Sequence, residues 1–228
     1  SFSADAGASV LFAQAFSSVC GFTNTTFSGL GLKTITNSGV TTVTGTINAT
    51  NLFHAAGTWQ GTATLNGVLD WTGGTLSPQL TVASGSTLKL SGSATKTLGA
   101  GSVITNAGTV TWTAGQFNLD NAQTFYNLPG ALFDVQFDGT LIQNLAGIST
   151  FRNEGTYRKS AGSGTNTIQI VSFVQLGNLE VLTGFIRVVG NFSPGVGSTF
   201  KTFIGGTTPG TGFGQFQVSA SATLAGTL

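Results

Sequence analysis

The sequence predicts an all-β fold, a right-handed parallel β-helix (β-solenoid) of about 8–9 turns of ~22 residues, with an N-terminal cap. Three observations predict it: a recurring glycine-led phrase, short β-favouring runs between turn residues, and no amphipathic helical pattern after residue 30. The phrase recurs at spacings of roughly 22 residues, a period typical of stacked repeats rather than of an ordinary globular core. Its copies are Gly45-Thr-Ile, Gly67-Val-Leu, Gly85-Ser-Thr-Leu, Gly108-Thr-Val, Gly130-Ala-Leu-Phe, Gly155-Thr-Tyr, Gly177-Asn-Leu and Gly197-Ser-Thr-Phe.

Two regions of the chain differ in pattern. In residues 1–33 the apolar positions between Ser9 and Cys20 have mixed spacings, compatible with a short helix or a buried strand. We expect this segment to cap the first turn, because solenoids need atypical ends. From Thr34 to Leu228, runs such as Val40-Thr-Thr-Val-Thr alternate with period two, which is typical of strands with one buried face. This region is the predicted solenoid, with each strand pairing about 4.8 Å from its equivalent one turn later.

Alignment of the phrases predicts two columns of side chains along the solenoid. The third position, with one extra residue allowed at three phrases, forms an inward column: Ile47, Leu69, Leu88, Val110, Phe133, Tyr157, Leu179 and Phe200. The next position should face outward, and it holds Asn48, Asp70, Lys89, Thr111, Asp134, Arg158, Glu180 and Lys201. We call its six charged members, Asp70, Lys89, Asp134, Arg158, Glu180 and Lys201, the charge column. Because their signs mostly alternate, the column is predicted to hold the turns in register.

The composition excludes several classes of function. Only 7% of the residues are charged and 40% are hydrophobic, so the chain does not have the composition of a disordered protein. A net charge of +1 offers no basic surface for nucleic acid, and no apolar run reaches the roughly 18 residues of a membrane span. One cysteine, Cys20, and one histidine, His54, predict neither a disulfide nor a metal site, and no cofactor is expected.

Candidate catalytic residues are few. Paired carboxyls of a glycosidase lie about 5–9.5 Å apart, and only Asp134, Asp138 and Glu154 fall in neighbouring turns at comparable positions. The phrase alignment pairs Asp134 with Arg158 instead, which favours solvated rim charges over catalysis. The sequence therefore predicts a protein that is not an enzyme, with a carbohydrate-active enzyme or polysaccharide-binding module using these three carboxylates as the alternative.

Threonine pairs suggest a further alternative, an ice-binding face. The pairs do not keep a constant offset from the phrase glycines, so a continuous threonine column is not expected, and the β-propensity of threonine explains them as well. They are Thr34/Thr36, Thr42/Thr44, Thr62/Thr64, Thr95/Thr97, Thr109/Thr111/Thr113 and Thr165/Thr167. Trp71 and Trp112 share one phrase position of inward parity, which favours core packing over stacking on sugar rings.

Two passages resemble repeats of a known kind. The segment Phe151-Arg-Asn-Glu-Gly-Thr followed by Gly177-Asn-Leu-Glu-Val-Leu-Thr-Gly resembles the F-x-N-x-G-T and G-x-L-x-V-x-x-G repeats of large bacterial autotransporter-like and adhesin-like surface proteins with parallel β-helix repeats. Residues 205–228 are similar to a closing repeat of such chains, although Gly214 stands where family members often carry an acidic residue. The resemblance covers roughly residues 85–228. It implies an exported, adhesin-like module and no catalytic residues.

The expected function is that of a non-enzymatic, extracellular or cell-surface β-solenoid with a structural or adhesive role. It would act as a surface-displayed spacer or as the subunit of an end-to-end filament. Gly226, Thr227 and Leu228 open another copy of the phrase, so we expect a self-association edge there. The expected partners are other copies of the chain, a host or biofilm surface, or a polysaccharide.

Overall fold

Parallel pairing between successive turns organises the chain into a β-solenoid of about 9 turns of ~22 residues. The structure is a computed structural model that describes residues 1–13, 19–36 and 38–224, and 24 strands join in one sheet system over these residues. The strands are β1 (Phe2–Ser3), β2 (Ser9–Phe12), β3 (Val19–Thr23), β4 (Thr26–Ser28), β5 (Leu32–Ile35), β6 (Val40–His54), β7 (Thr58–Trp71), β8 (Thr75–Val82), β9 (Thr87–Leu90), β10 (Lys96–Leu98), β11 (Val103–Asn106), β12 (Thr109–Trp112), β13 (Phe117–Asn118), β14 (Thr124–Asn127), β15 (Leu132–Val135), β16 (Thr140–Ile142), β17 (Thr150–Asn153), β18 (Thr156–Lys159), β19 (Thr165–Gln169), β20 (Ser172–Gln175), β21 (Asn178–Val181), β22 (Phe185–Val188), β23 (Thr199–Thr202) and β24 (Gln215–Val218).

Three faces run along the solenoid, and each turn up to β20 contributes one stretch of strand to each face. Face A contains β3, the first parts of β6, β7 and β8, and then β10, β13, β16, β19, β22 and β24. Face B contains β1, β4, the middle of β6 and β7, the end of β8, and then β11, β14, β17 and β20. Face C contains β2, β5, the ends of β6 and β7, and then β9, β12, β15, β18, β21 and β23.

The predicted inward column is confirmed from Leu69 onward on face C. Register partners connect Leu69 through Leu88, Val110, Phe133, Tyr157 and Leu179 to Phe200. The prediction was wrong at its start, because Ile47 pairs with Leu65 on face B, and Leu52 is the partner of Leu69. The cause is the 15-residue strand β6, which spans all three faces and shifts register between Ala49 and Leu52. Asn48, the expected first outward residue, accordingly pairs with Asn66.

The first 33 residues already pair as part of the solenoid wherever the structure describes them. Strands β1, β2 and β3 pair in parallel with β4, β5 and β6 respectively. The described part of this segment shows strands and no separate cap structure. Four phenylalanines pack together inside this end, with ring centroids 4.9 to 5.8 Å apart: Phe2, Phe12, Phe22 and Phe27.

The core is a stack of apolar and aromatic side chains between the three faces. Alternation along strands such as β12 and β18 buries every second residue, as the period-two pattern requires. Equivalent rings in successive turns lie face to face: Phe125 and Phe151 are 4.7 Å apart and Phe133 and Tyr157 are 5.2 Å apart. Trp71 and Trp112 are fully buried, as their inward parity predicts.

Candidate functional site

The charge column lies on face C, where the strand register brings its members together in two groups. Asp70 pairs with Lys89 in register, and Thr111 separates Lys89 from Asp134. From Asp134 the partners are Arg158, Glu180 and Lys201 in turn. The column is therefore continuous in register from Asp70 to Lys201, with one uncharged residue inside it.

The ion pairs of this column differ in geometry and burial. The Arg158 guanidinium donates to both carboxylate oxygens of Asp134, at 2.9 and 3.1 Å. Burial opposes ionisation of Asp134, but hydrogen bonds from Arg158, Gln136 and Ser160 outweigh it and hold the pKa of Asp134 below its usual value. Lys201 and Glu180 are 3.7 Å apart, at the exposed last turn. Asp70 accepts a 2.5 Å hydrogen bond from the Ser91 hydroxyl.

The three candidate catalytic carboxylates are each engaged by a cation. Asp134 is paired with Arg158, Glu154 lies 2.6 Å from Arg152, and Asp138 lies 2.7 Å from the Lys159 ammonium. Asp138 also accepts from the backbone N–H of Gly164. These pairs are structural contacts between or within turns. Among the described residues no group of three His, Cys, Asp or Glu side chains could hold a metal ion.

Three buried lysines occupy inward positions and turn their ammonium groups to backbone carbonyls at the corners. Lys33 Nζ donates to three carbonyl oxygens of residues 28–31, each at 2.8 Å. Lys96 and Lys159 are held in the same way by carbonyls of their own and neighbouring turns. A carbonyl oxygen has two lone pairs and can accept two hydrogen bonds, so each buried ammonium group finds partners at its corner.

A buried amide ladder on face B was missed from the sequence. Asn106 donates to Asn127 at 2.8 Å, Asn127 to Asn153 at 2.7 Å, and Asn153 to Gln175 at 2.9 Å. Each of the three asparagines also donates to a backbone carbonyl of the following turn. The signal was present as an amide residue shortly before four phrase glycines: Asn106-Ala-Gly, Asn127-Leu-Pro-Gly, Asn153-Glu-Gly and Gln175-Leu-Gly.

His54 is fully buried, and neither of its ring nitrogens has a hydrogen-bond partner in the described structure. The Trp59 ring packs edge-on against it at 5.9 Å, and the indole N–H of Trp59 is also buried without a partner. Burial lowers the pKa of His54 to about 4, and a weaker effect of the Thr75 backbone opposes that shift only in part. His54 is therefore a neutral residue of the core.

A threonine column exists on face B, contrary to the expectation from the phrase offsets. Thr46, Thr64, Thr81 and Thr105 are successive register partners, and Tyr126 follows them. The offsets vary because the corners between faces differ in length, while the strands themselves stay in register. Of the predicted pairs, Thr62/Thr64 lies here, whereas Thr109 and Thr111 lie on face C and Thr165 and Thr167 on face A.

The last described turn leaves part of the core open. Phe200 continues the inward column but is 54% exposed, because no described strand covers it. It lines an apolar groove of ≈ 1120 Å³ together with Leu179, Phe192, Phe213 and Phe216. The predicted self-association residues Gly226, Thr227 and Leu228 lie outside the described residues.

These features define the chain as a parallel β-solenoid repeat protein. Comparison with protein-family models, with curated proteins and with solved structures finds no match to it. In the described residues no helix has the length and apolar character needed to cross a membrane.

Proposed function

We propose that the protein is a non-enzymatic structural or adhesive β-solenoid that acts outside the cell or at its surface. It would serve as a rigid spacer or as the subunit of an end-to-end filament. The carrying observation is that parallel pairing joins the turns from β1 to β24, and aromatic and amide contacts reinforce it between several of them. Such a ladder of about nine turns gives a stiff body about 40 Å long.

The engagement of the charged residues supports a structural role. Asp134, Asp138 and Glu154 are all held in ion pairs, so none is placed as an unpaired acid or base. Three of the lysines donate hydrogen bonds to backbone carbonyls at the corners instead of facing a substrate. The low charge and the Thr-, Ser- and Gly-rich composition, together with the resemblance of the repeats to bacterial surface proteins, favour export.

Filament formation is supported by the two end turns. Strands β1–β3 and β23–β24 each pair on one side only within the described structure, and unpaired parallel edges recruit further strands. A contact between unlike ends does not close on itself, so it builds an open chain of subunits.

Electron microscopy and light scattering of the purified protein over a concentration series test this proposal. We expect single rods at low concentration and longer fibres at high concentration. Phe200→Lys places a charge in the open core and should prevent fibre growth. Leu145→Lys is the matched control, because Leu145 is also 54% exposed but lies on a lateral corner. Uniform single rods at every concentration would exclude the filament, and compact globular particles would exclude the spacer as well.

A further inference from the structure

A shallow groove of ≈ 350 Å³ crosses successive turns on face B. The threonine column of Thr46, Thr64, Thr81 and Thr105 runs along it, and Thr62 and Gln79 form its side. All of these side chains project outward from strands β6, β7, β8 and β11, whose backbone is fixed by pairing on both sides. The groove is thus a preformed feature of the most regular part of the solenoid.

The lining of the groove is neutral and rich in hydroxyls. No charged side chain lines it. Within the described structure, none of the four column hydroxyls makes a hydrogen bond to protein, in contrast to Thr23 and Thr44, whose hydroxyls pair with each other at 2.9 Å. A threonine hydroxyl can both donate and accept, so each turn presents one donor and acceptor site to an occupant.

An aromatic ring continues the same column at its far end. Tyr126 is the register partner of Thr105, and its side chain is 37% exposed although the ring is large and apolar. The next partner, Arg152, is engaged by Glu154 and ends the neutral surface. Tyrosine combines an apolar ring face with a polar tip, which suits a ligand that has both apolar ring faces and hydroxyl edges.

The geometry points to this groove as the binding site for a strand of neutral polysaccharide laid along the solenoid axis. Four register steps from Thr46 to Tyr126 cover about 19 Å, with a hydroxyl or ring at each step. A neutral glycan supplies repeated hydroxyls for the threonines and a sugar face for Tyr126. An acidic polymer would find no cation in the groove. The site gives an adhesive role to the lateral surface. Binding at this site requires neither filament growth nor the carboxylates of Asp134, Asp138 and Glu154.

Affinity electrophoresis of the intact chain tests binding directly. The probes are soluble mixed-linkage β-glucan, hydroxyethyl cellulose, xylan, galactomannan and dextran in the gel, with polygalacturonate as the charged comparison. We expect retardation by at least one neutral polymer and none by polygalacturonate. Equal migration in all six gels would overturn the proposal, and the shape of the particles in electron micrographs would still decide the spacer function separately.

Matched substitutions locate the site. Thr64→Val and Thr81→Val remove one hydroxyl each while keeping a β-branched side chain, and each should weaken binding roughly 2- to 10-fold. Tyr126→Ala should weaken it by a similar factor or more, since an aromatic contact contributes a comparable free energy. Thr97→Val on face A and Thr109→Val on face C are controls, because both are outward, half-buried threonines on the other two faces. A loss of retardation by the controls equal to that of the groove variants would contradict this location.

A regular array of threonines could instead order water at an ice surface, and thermal hysteresis measured on the same preparations separates the two occupants. If a neutral polymer retards the wild type and retards Thr64→Val less, the glycan site is supported, with or without thermal hysteresis. Hysteresis in the absence of any retardation would assign the groove to ice and overturn the proposal. Melting temperatures of the threonine variants should stay close to that of the wild type, because the substituted hydroxyls have no partners in the described structure.

Discussion

At the scale of single residues, several polar side chains lie at positions that the strand pattern assigns to the core. Whether their burial lowers the stability of the fold depends on the hydrogen-bond partners that they find there. The buried lysines find carbonyls at the corners and contribute hydrogen bonds. His54 finds no partner for its ring nitrogens and stays neutral. A buried histidine that stays uncharged lowers the stability of the folded state at pH values where the unfolded chain binds the proton, and has no such effect at higher pH.

The pH dependence of stability should therefore report His54, the single histidine of the chain. Its pKa is about 4 in the fold and 6.5 as the reference, so between these values the unfolded chain binds the proton and the folded chain does not. Stability is fully present above pH 6.5 and falls as the pH drops towards 4. Between pH 7 and pH 5 the free energy of unfolding should fall by about 2 kcal/mol.

Urea denaturation of the wild type and of His54→Leu measures this effect. The window from pH 7 to pH 5 lies above the range in which ordinary carboxylates titrate. The variant should lose most of the dependence, because no other side chain has a reference pKa between 5 and 7. Equal slopes in the two proteins would mean that His54 is accessible to protons in the folded state.

At the scale of elements, inter-turn side-chain ladders reinforce the backbone ladder on two faces. The amide ladder on face B is buried and joins four turns through Asn106, Asn127, Asn153 and Gln175. The charge column on face C is partly exposed and interrupted at Thr111. Buried polar groups are costly to leave unpaired, so the amide ladder should contribute more to stability than the charges do.

The amide ladder predicts a graded response to substitution. Asn127→Leu removes bonds to both neighbouring amides and to the Thr156 carbonyl, and should cost roughly 2–5 kcal/mol of unfolding free energy. Gln175→Leu removes only the bond from Asn153 and one to Gly177, and should cost less, about 1–2 kcal/mol. Asn178→Leu on the exposed side of face C is the control. Denaturation curves check the order, and equal losses at Asn127 and Asn178 would contradict it.

The charge column should couple unevenly along its length. Asp134 and Arg158 form a two-bond pair with a buried carboxylate, so a double-mutant cycle with alanine should give a coupling of about 1.5–3 kcal/mol. Glu180 and Lys201 are 3.7 Å apart with the lysine exposed, and their cycle should give at most about 0.5 kcal/mol. Equal coupling energies in the two cycles would mean that the distance and burial of an ion pair do not determine its contribution to stability.

The repeat could be predicted from the sequence because glycine phrases and period-two alternation are local signals. The inward column from Leu69 to Phe200 followed directly from them. The positions of Ile47 and of the face B threonines could not be predicted in this way. They depend on the number of residues in each corner, and that number cannot be derived from a single copy of the phrase. The lysine contacts also escaped prediction, since a long side chain at an inward position bends to whichever carbonyls the corner exposes.

At the scale of the whole molecule, each turn contacts only its neighbours, so stability should vary along the solenoid axis. The central turns have a covered core on both sides, for example around Trp112, whose ring packs against Phe117, Phe133 and Phe137. The end turns have one covered side, and Phe2 and Phe200 remain partly exposed there. Repeat proteins with such nearest-neighbour coupling open from their ends.

Hydrogen exchange followed by mass spectrometry should reveal this gradient. Amides of β11, β12, β14 and β15 should exchange most slowly, and those of β1, β2, β23 and β24 fastest, because opening an end turn breaks only one interface. Trp112→Leu leaves a cavity in the centre and should cost several kcal/mol. It should raise exchange most in β9, β12 and β15, which are adjacent in register, and less with each further turn. Equal acceleration in every strand would mean that the solenoid opens as one cooperative unit, and the turns would then not be independent enough to fray.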